Sequence, residues 1–214
     1  MKHQRLTGAI CATGLALLIA GSANAAGINY TTNSPLTKFT SGVNSLTLSS
    51  VSGQAAALTF TPNTVSNSGV PSNINLGDFL LVCSTCTVSQ TTTFGSFTFD
   101  LVVTDITDGG AQGVFTGTSS GGTVSSDSST INITFGPVSF GPGTFNALSG
   151  NFGDTIFSKL SPVTSIVAPN SGTPAGDSTV QAQLSSTTPE PASFVLFGCA
   201  LAGLGLMRGK LVSR

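Results

Sequence analysis

Apolar side chains recur at every second position through the middle of the chain. Phe97, Phe99, Leu101 and Val103 are spaced by Thr98, Asp100 and Val102, and Ile131, Ile133 and Phe135 by Asn132 and Thr134. Leu46-Thr47-Leu48 and Leu58-Thr59-Phe60 repeat the pattern on a shorter scale. Successive side chains of a strand point to opposite faces, so this spacing predicts strands that are apolar inward and polar outward, as in antiparallel sheets. Further strands are expected at 79–83, 114–118, 155–160, 163–167 and 179–184. Turn signals separate them: Asp108-Gly109-Gly110, Ser120-Gly121-Gly122, Gly136-Pro137 and Gly141-Pro142-Gly143, residues that supply the backbone angles and chain breaks of turns. Residues 116–130, rich in Ser, Thr and Gly, read as an exposed loop or polar hairpin, and 168–177 as a long loop. No stretch between the two ends carries the spacing of an amphipathic helix; 151–160 is expected to hold one short turn at most. Many short strands with frequent turns point to an all-β fold, a single antiparallel β-sandwich or jelly-roll-like domain.

The two ends break this pattern. Lys2 and Arg5 precede an apolar run at 6–20, and Ala23-Asn24-Ala25 fits the small-x-small rule for signal peptidase. Residues 1–25 therefore read as a signal helix, cleaved after Ala25. At the other end, Pro189-Glu190-Pro191 is followed by an apolar run at 192–207 and then by Arg208, Lys210 and Arg214. As a helix, that run covers roughly 24 Å, slightly short of a typical span of ~20 residues. Its basic end favours the cytoplasmic side, which leaves the body facing outward.

This order of Pro-Glu-Pro, apolar run and basic end resembles the PEP-CTERM sorting signal of bacterial surface proteins. The resemblance covers 189–214, together with the N-terminal signal. It implies recognition by an exosortase, a membrane-embedded peptidase-like enzyme. It also implies a membrane-tethered intermediate, removal of the tail near Pro-Glu-Pro, and delivery to the cell surface or extracellular matrix of a Gram-negative-type bacterium. The expected organisation is a signal peptide at 1–25, an ectodomain at 26–184, an accessible polar spacer at 185–188 and a sorting signal at 189–214 with its transmembrane helix at 192–207.

Charge is informative once the ends are set aside. The whole chain carries a formal −1, but the body has only Lys38 and Lys159 against seven Asp, a formal −5. An acidic body without a basic patch lacks the electrostatic term of nucleic-acid binding. It also has no His, Arg, Trp or Met, and no Glu before Glu190, so a Ser-His-Asp or Cys-His centre cannot be assembled. Sugar-binding surfaces usually stack sugars on exposed aromatics. Here the one Tyr, Tyr30, falls in a segment expected to be flexible, and the Phe residues lie mostly on inward positions.

Cys83-Ser84-Thr85-Cys86 is the sharpest local feature of the body. A redox pair would need an activated thiol near cationic groups, and a zinc site would need further ligands. A disulfide closing a tight turn suits an oxidising compartment best. Asp105-Ile106-Thr107-Asp108-Gly109 makes Asp105 and Asp108 the calcium candidates, with Asp127, Asp154 or Asp177 available to join them in space. The EF-hand pattern is absent, and Asp at turns caps backbone N–H groups without a metal, so the reading assigns no metal and no cofactor. Asn132-Ile133-Thr134 matches a glycosylation sequon by chance. The expected role is a non-enzymatic, exosortase-processed structural protein of the surface or biofilm matrix. The alternative is a non-catalytic polysaccharide-binding module of the same matrix.

Overall fold

The computed structural model describes residues 27–187, apart from 41, 43, 50–53, 89, 137, 144–146 and 171–175, and also residue 198. The signal-peptide, sorting-motif and transmembrane-helix expectations lie outside the described residues, except at 198. Residues Ala26–Thr187 group as one compact unit.

The described body is all-β and antiparallel. In chain order its strands are β1 (Ile28–Thr31), β2 (Lys38–Phe39), β3 (Ser45–Ser49), β4 (Ala55–Pro62), β5 (Thr64–Ser68), β6 (Ser72–Val82), β7 (Thr92–Phe94) and β8 (Phe97–Asp105). There follow β9 (Ala111–Ser119), β10 (Gly122–Val124), β11 (Asn132–Phe135), β12 (Ser139–Phe140), β13 (Ala147–Ser149), β14 (Thr155–Lys159), β15 (Val163–Ser165) and β16 (Asp177–Ser186). The first sheet runs β15-β11-β9-β8-β1-β5, with β13 also on β9 and β2 also on β8; the second runs β12-β14-β16-β6-β4-β3. β7 and β10 form a separate pair.

The inward rows of the two large sheets meet in an aromatic core. Phe39 and Phe99 of the first sheet contact Phe79 of the second, with ring centroids 6.1 Å and 4.9 Å away, and Phe60 lies 4.9 Å from Phe99. Tyr30 meets Phe157 at 5.9 Å, and Phe115 meets Phe140 at 4.5 Å. Such tilted and edge-on pairs add to the burial of their area.

The period-two reading succeeds at β8, where Phe97, Phe99, Leu101 and Val103 are all buried. Val102, on the opposite face, is buried too. There the chain detours between β1 and β2, and the Thr37 hydroxyl fills the missing rung. It accepts from the Val102 N–H at 3.0 Å and donates to the Thr32 carbonyl at 3.0 Å.

Other strands exceed their expected lengths for physical reasons. In β6 the buried positions change parity from Ile74 and Leu76 to Phe79 and Leu81. A bulge causes the change: Val180 pairs with Gly77 and Gln181 with Asn75, which leaves Leu76 as the extra residue. β9 places Ala111, Gly113, Phe115, Gly117 and Ser119 inward. A Cβ at Gly113 would collide with the Phe140 ring, and one at Gly117 would come within 2.6 Å of Ile133 Cγ2. The glycines make room for neighbouring rings and therefore carry no apolar signal themselves.

The structure bears on four further expectations. Within 116–130 the hairpin alternative holds at 123–130, where Val124 bridges Ser129 and the Thr130 N–H donates to the Thr123 carbonyl at 2.9 Å; the open-loop alternative does not, since Ser119, Val124, Ser125 and Ser126 are buried. Tyr30 is not in a flexible segment but fully buried in β1. The one short turn expected within 151–160 is present, closed by the Thr155 N–H to the Phe152 carbonyl at 2.8 Å, and β14 begins directly after it. The ectodomain boundary expected at 184 falls inside β16, since Ser185 and Ser186 pair with Ile156 and Thr155.

Candidate functional site

The structure sorts the candidate residues into three places. Cys83 and Cys86 form a disulfide across the turn that follows β6, with Cα atoms 5.4 Å apart. The bond leaves no free thiol there to ligate a metal. Among the described residues, no group of three or more His, Cys, Asp or Glu is gathered to hold a metal ion.

The second place is the end of β8. Asp105 is fully buried. Its Oδ1 accepts from the Thr107 N–H at 2.9 Å and the Asp108 N–H at 3.2 Å, which makes the Asp-capped turn expected from its sequence. Its other oxygen, Oδ2, is buried without a hydrogen-bond partner, as are Asp108 Oδ2 and Thr155 Oγ1. The Thr155 hydroxyl stands beside both carboxylates without a well-aligned bond to either. Burial pushes the Asp105 carboxyl above the usual range. The Asp108 charge adds to this, and the backbone N–H donors oppose it. Burial and then the Asp154 charge push Asp108 up as well. Of the Asp residues expected to join in space, Asp154 is therefore brought close. Asp127 instead accepts from Ser125 Oγ at 2.8 Å, and Asp177 feels Asp78.

The third place could not be found from local sequence. Lys159 on β14 sits 5.0 Å over the Phe135 ring and donates to Thr164 Oγ1 at 3.3 Å. Burial pushes its ammonium down to about 8. It borders a cavity of about 290 Å³ whose lining includes Ser161, Ser165, Asp177, Thr179 and Gln181. Thr164 is near Lys159 in the chain, but Phe135 on β11 and Asp177, Thr179 and Gln181 on β16 are brought in by the fold.

The outer face of the first sheet carries a row of threonines. Thr98 pairs with Thr118, Thr118 pairs with Thr134, and the Thr40 hydroxyl bonds that of Thr98. An open depression of about 520 Å³ lies at this row, between Thr40, Leu46, Phe97 and Thr118. Every described Phe is buried, as is Tyr30. No helix among the described residues is long and apolar enough to cross a membrane. No family model, curated protein or solved structure matches the chain.

Proposed function

We propose that the chain is a secreted, exosortase-processed structural protein of the bacterial surface or extracellular matrix, with a jelly-roll-like β-sandwich as its body and no catalytic centre. The order Pro189-Glu190-Pro191, apolar run, Arg208, Lys210 and Arg214 carries the proposal. The described body supports it in one respect. Its last described strand ends at Ser186, and Thr187 is tied to the Asp154 carbonyl at 2.8 Å, so removal of everything from Pro189 onward takes none of the described strands. Fractionation of host cells with and without their exosortase tests the reading. Surface or matrix localisation that depends on the exosortase is expected; equal surface recovery from both strains contradicts it.

The second reading, a polysaccharide-binding module, is favoured by the threonine row and the depression beside it. Hydroxyls and methyls spaced by the strand separation of about 4.8 Å suit polar and apolar faces of sugar chains without aromatic stacking. Pull-down on matrix polysaccharides separates the two. Saturable binding weakened by Thr118→Ala supports the module, and no retention supports the structural role alone.

A further inference from the structure

We propose that the fork where β14 leaves the second sheet is a binding site for an acidic sugar, with the Lys159 ammonium taking the carboxylate of a single uronate unit and the polar groups around it taking the ring hydroxyls. Lys159 pairs with Ala182, the last rung of β14 on β16. The chain then crosses over and joins the first sheet as β15, where Val163 pairs with Thr134. β16 runs on from that rung back to Asp177 without β14 beside it. The cavity of about 290 Å³ lies in this fork, bordered by Lys159, by Thr164 and Ser165 of β15, and by Asp177, Thr179 and Gln181 of β16. Ligand sites run from roughly 300 to 1,000 Å³, so this one suits one ring and not a long chain.

Lys159 is a charge turned inward. Phe157, two residues before it, and its partner Ala182 are fully buried, so Lys159 shares their face of the sheet. An ammonium carries three donors. One goes to Thr164 Oγ1 at 3.3 Å, and the Phe135 ring covers one side at 5.0 Å. No carboxylate is among the groups acting on it, although Asp177 borders the same cavity. A half-buried cation without a counter-ion is costly, and an anionic ligand offsets that cost. Burial already pushes the ammonium down to about 8, and a bound carboxylate acts in the opposite sense. The lining selects the class of anion. One cation and one carboxylate on the same cavity suit a single negative charge and disfavour a phosphate dianion. The hydroxyls and the Gln181 amide both give and accept hydrogen bonds, as ring hydroxyls require. Leu160 and Val163, large apolar residues left exposed at the cavity, match the C–H face of a ring. The cavity shares no lining residue with the depression at the threonine row, so it stands whether or not that row binds sugar.

Ligand-observed NMR on the protein, purified as its host accumulates it, tests the site. Sodium glucuronate is the probe, with sodium acetate and glucose beside it. Saturable glucuronate binding with a Kd on the order of 1 mM is expected, the strength open to one small polar ligand. Acetate and glucose should each bind several-fold more weakly, since each lacks half of the recognised groups. Lys159→Met should abolish glucuronate binding. That variant should melt no lower than wild type at neutral pH, because it removes a buried charge, so its loss of binding is not a loss of fold. Asp177→Asn should tighten glucuronate several-fold by removing the competing charge on the cavity. No saturation by glucuronate would overturn the proposal. Acetate binding as tightly as glucuronate would mark a bare anion site and overturn it too, as would binding that survives Lys159→Met. Unchanged or weaker binding in Asp177→Asn contradicts the placement of the ligand in this fork.

Discussion

Tyr30 and Lys159 are the two residues whose chemistry the fold alters in opposite directions. The Tyr30 hydroxyl donates to the Asn75 carbonyl at 2.9 Å, and burial raises its pKa to about 12 from 10.0. The folded state thus holds this proton to higher pH than the unfolded chain does. The stability it contributes is intact below pH 10.0 and is lost as pH climbs toward about 12. Burial lowers Lys159 to about 8 from 10.5, so the fold disfavours the charge that the unfolded chain keeps. That penalty is fully present below pH 8 and is relieved as pH rises from about 8 through 10.5. Melting temperatures should therefore rise above pH 8 and fall again above pH 10. Lys159→Met should remove the rising limb and Tyr30→Phe the falling one. Tyr30→Phe should cost only about 0.5–1 kcal/mol at neutral pH, because the Asn75 carbonyl still accepts from Asn63 Nδ2 at 2.9 Å. The disulfide is a smaller contributor: Cys83 and Cys86 close so short a loop that reduction should cost well under ~3 kcal/mol. Intact-mass analysis after alkylation should find neither thiol free.

At the scale of elements, β9 shows how packing can depend on what is missing. Gly113→Ala should destabilise by about 1–3 kcal/mol through overpacking against Phe140. Gly136→Ala, with nothing within 4 Å of the added Cβ, should be close to neutral. Chemical denaturation of the two variants beside wild type checks the contrast. The same strand marks where reading from the chain stops. β8, β11, β3 and β4 announce themselves because each keeps one parity and buries large apolar residues. The first half of β6 is masked by the parity change at Leu76, and β9 by its inward glycines. β7 and β10 are masked by Thr and Gly, and β1 and β2 by brevity. The acidic turn is visible as Asp105 to Asp108, but Thr155 is not. It reaches the turn only because β14 of the second sheet begins across from where β8 of the first ends. That is a long-range consequence of layering, and no local pattern encodes it.

At the scale of the whole molecule, charge, strand layout and tail work together. The body is formally −5 and buries every described aromatic ring, which favours its solvation. Its compact unit closes at Thr187, and Pro189-Glu190-Pro191 follows at once. A removable handle on a body that keeps all its described strands is the central claim. Its most direct test is the C-terminal peptide of the mature protein, measured by mass spectrometry in a host with an active exosortase and in one without. The account predicts a new C-terminus at or near Pro189–Pro191 in the first and an unprocessed tail in the second. An intact chain through Arg214 in both would contradict it.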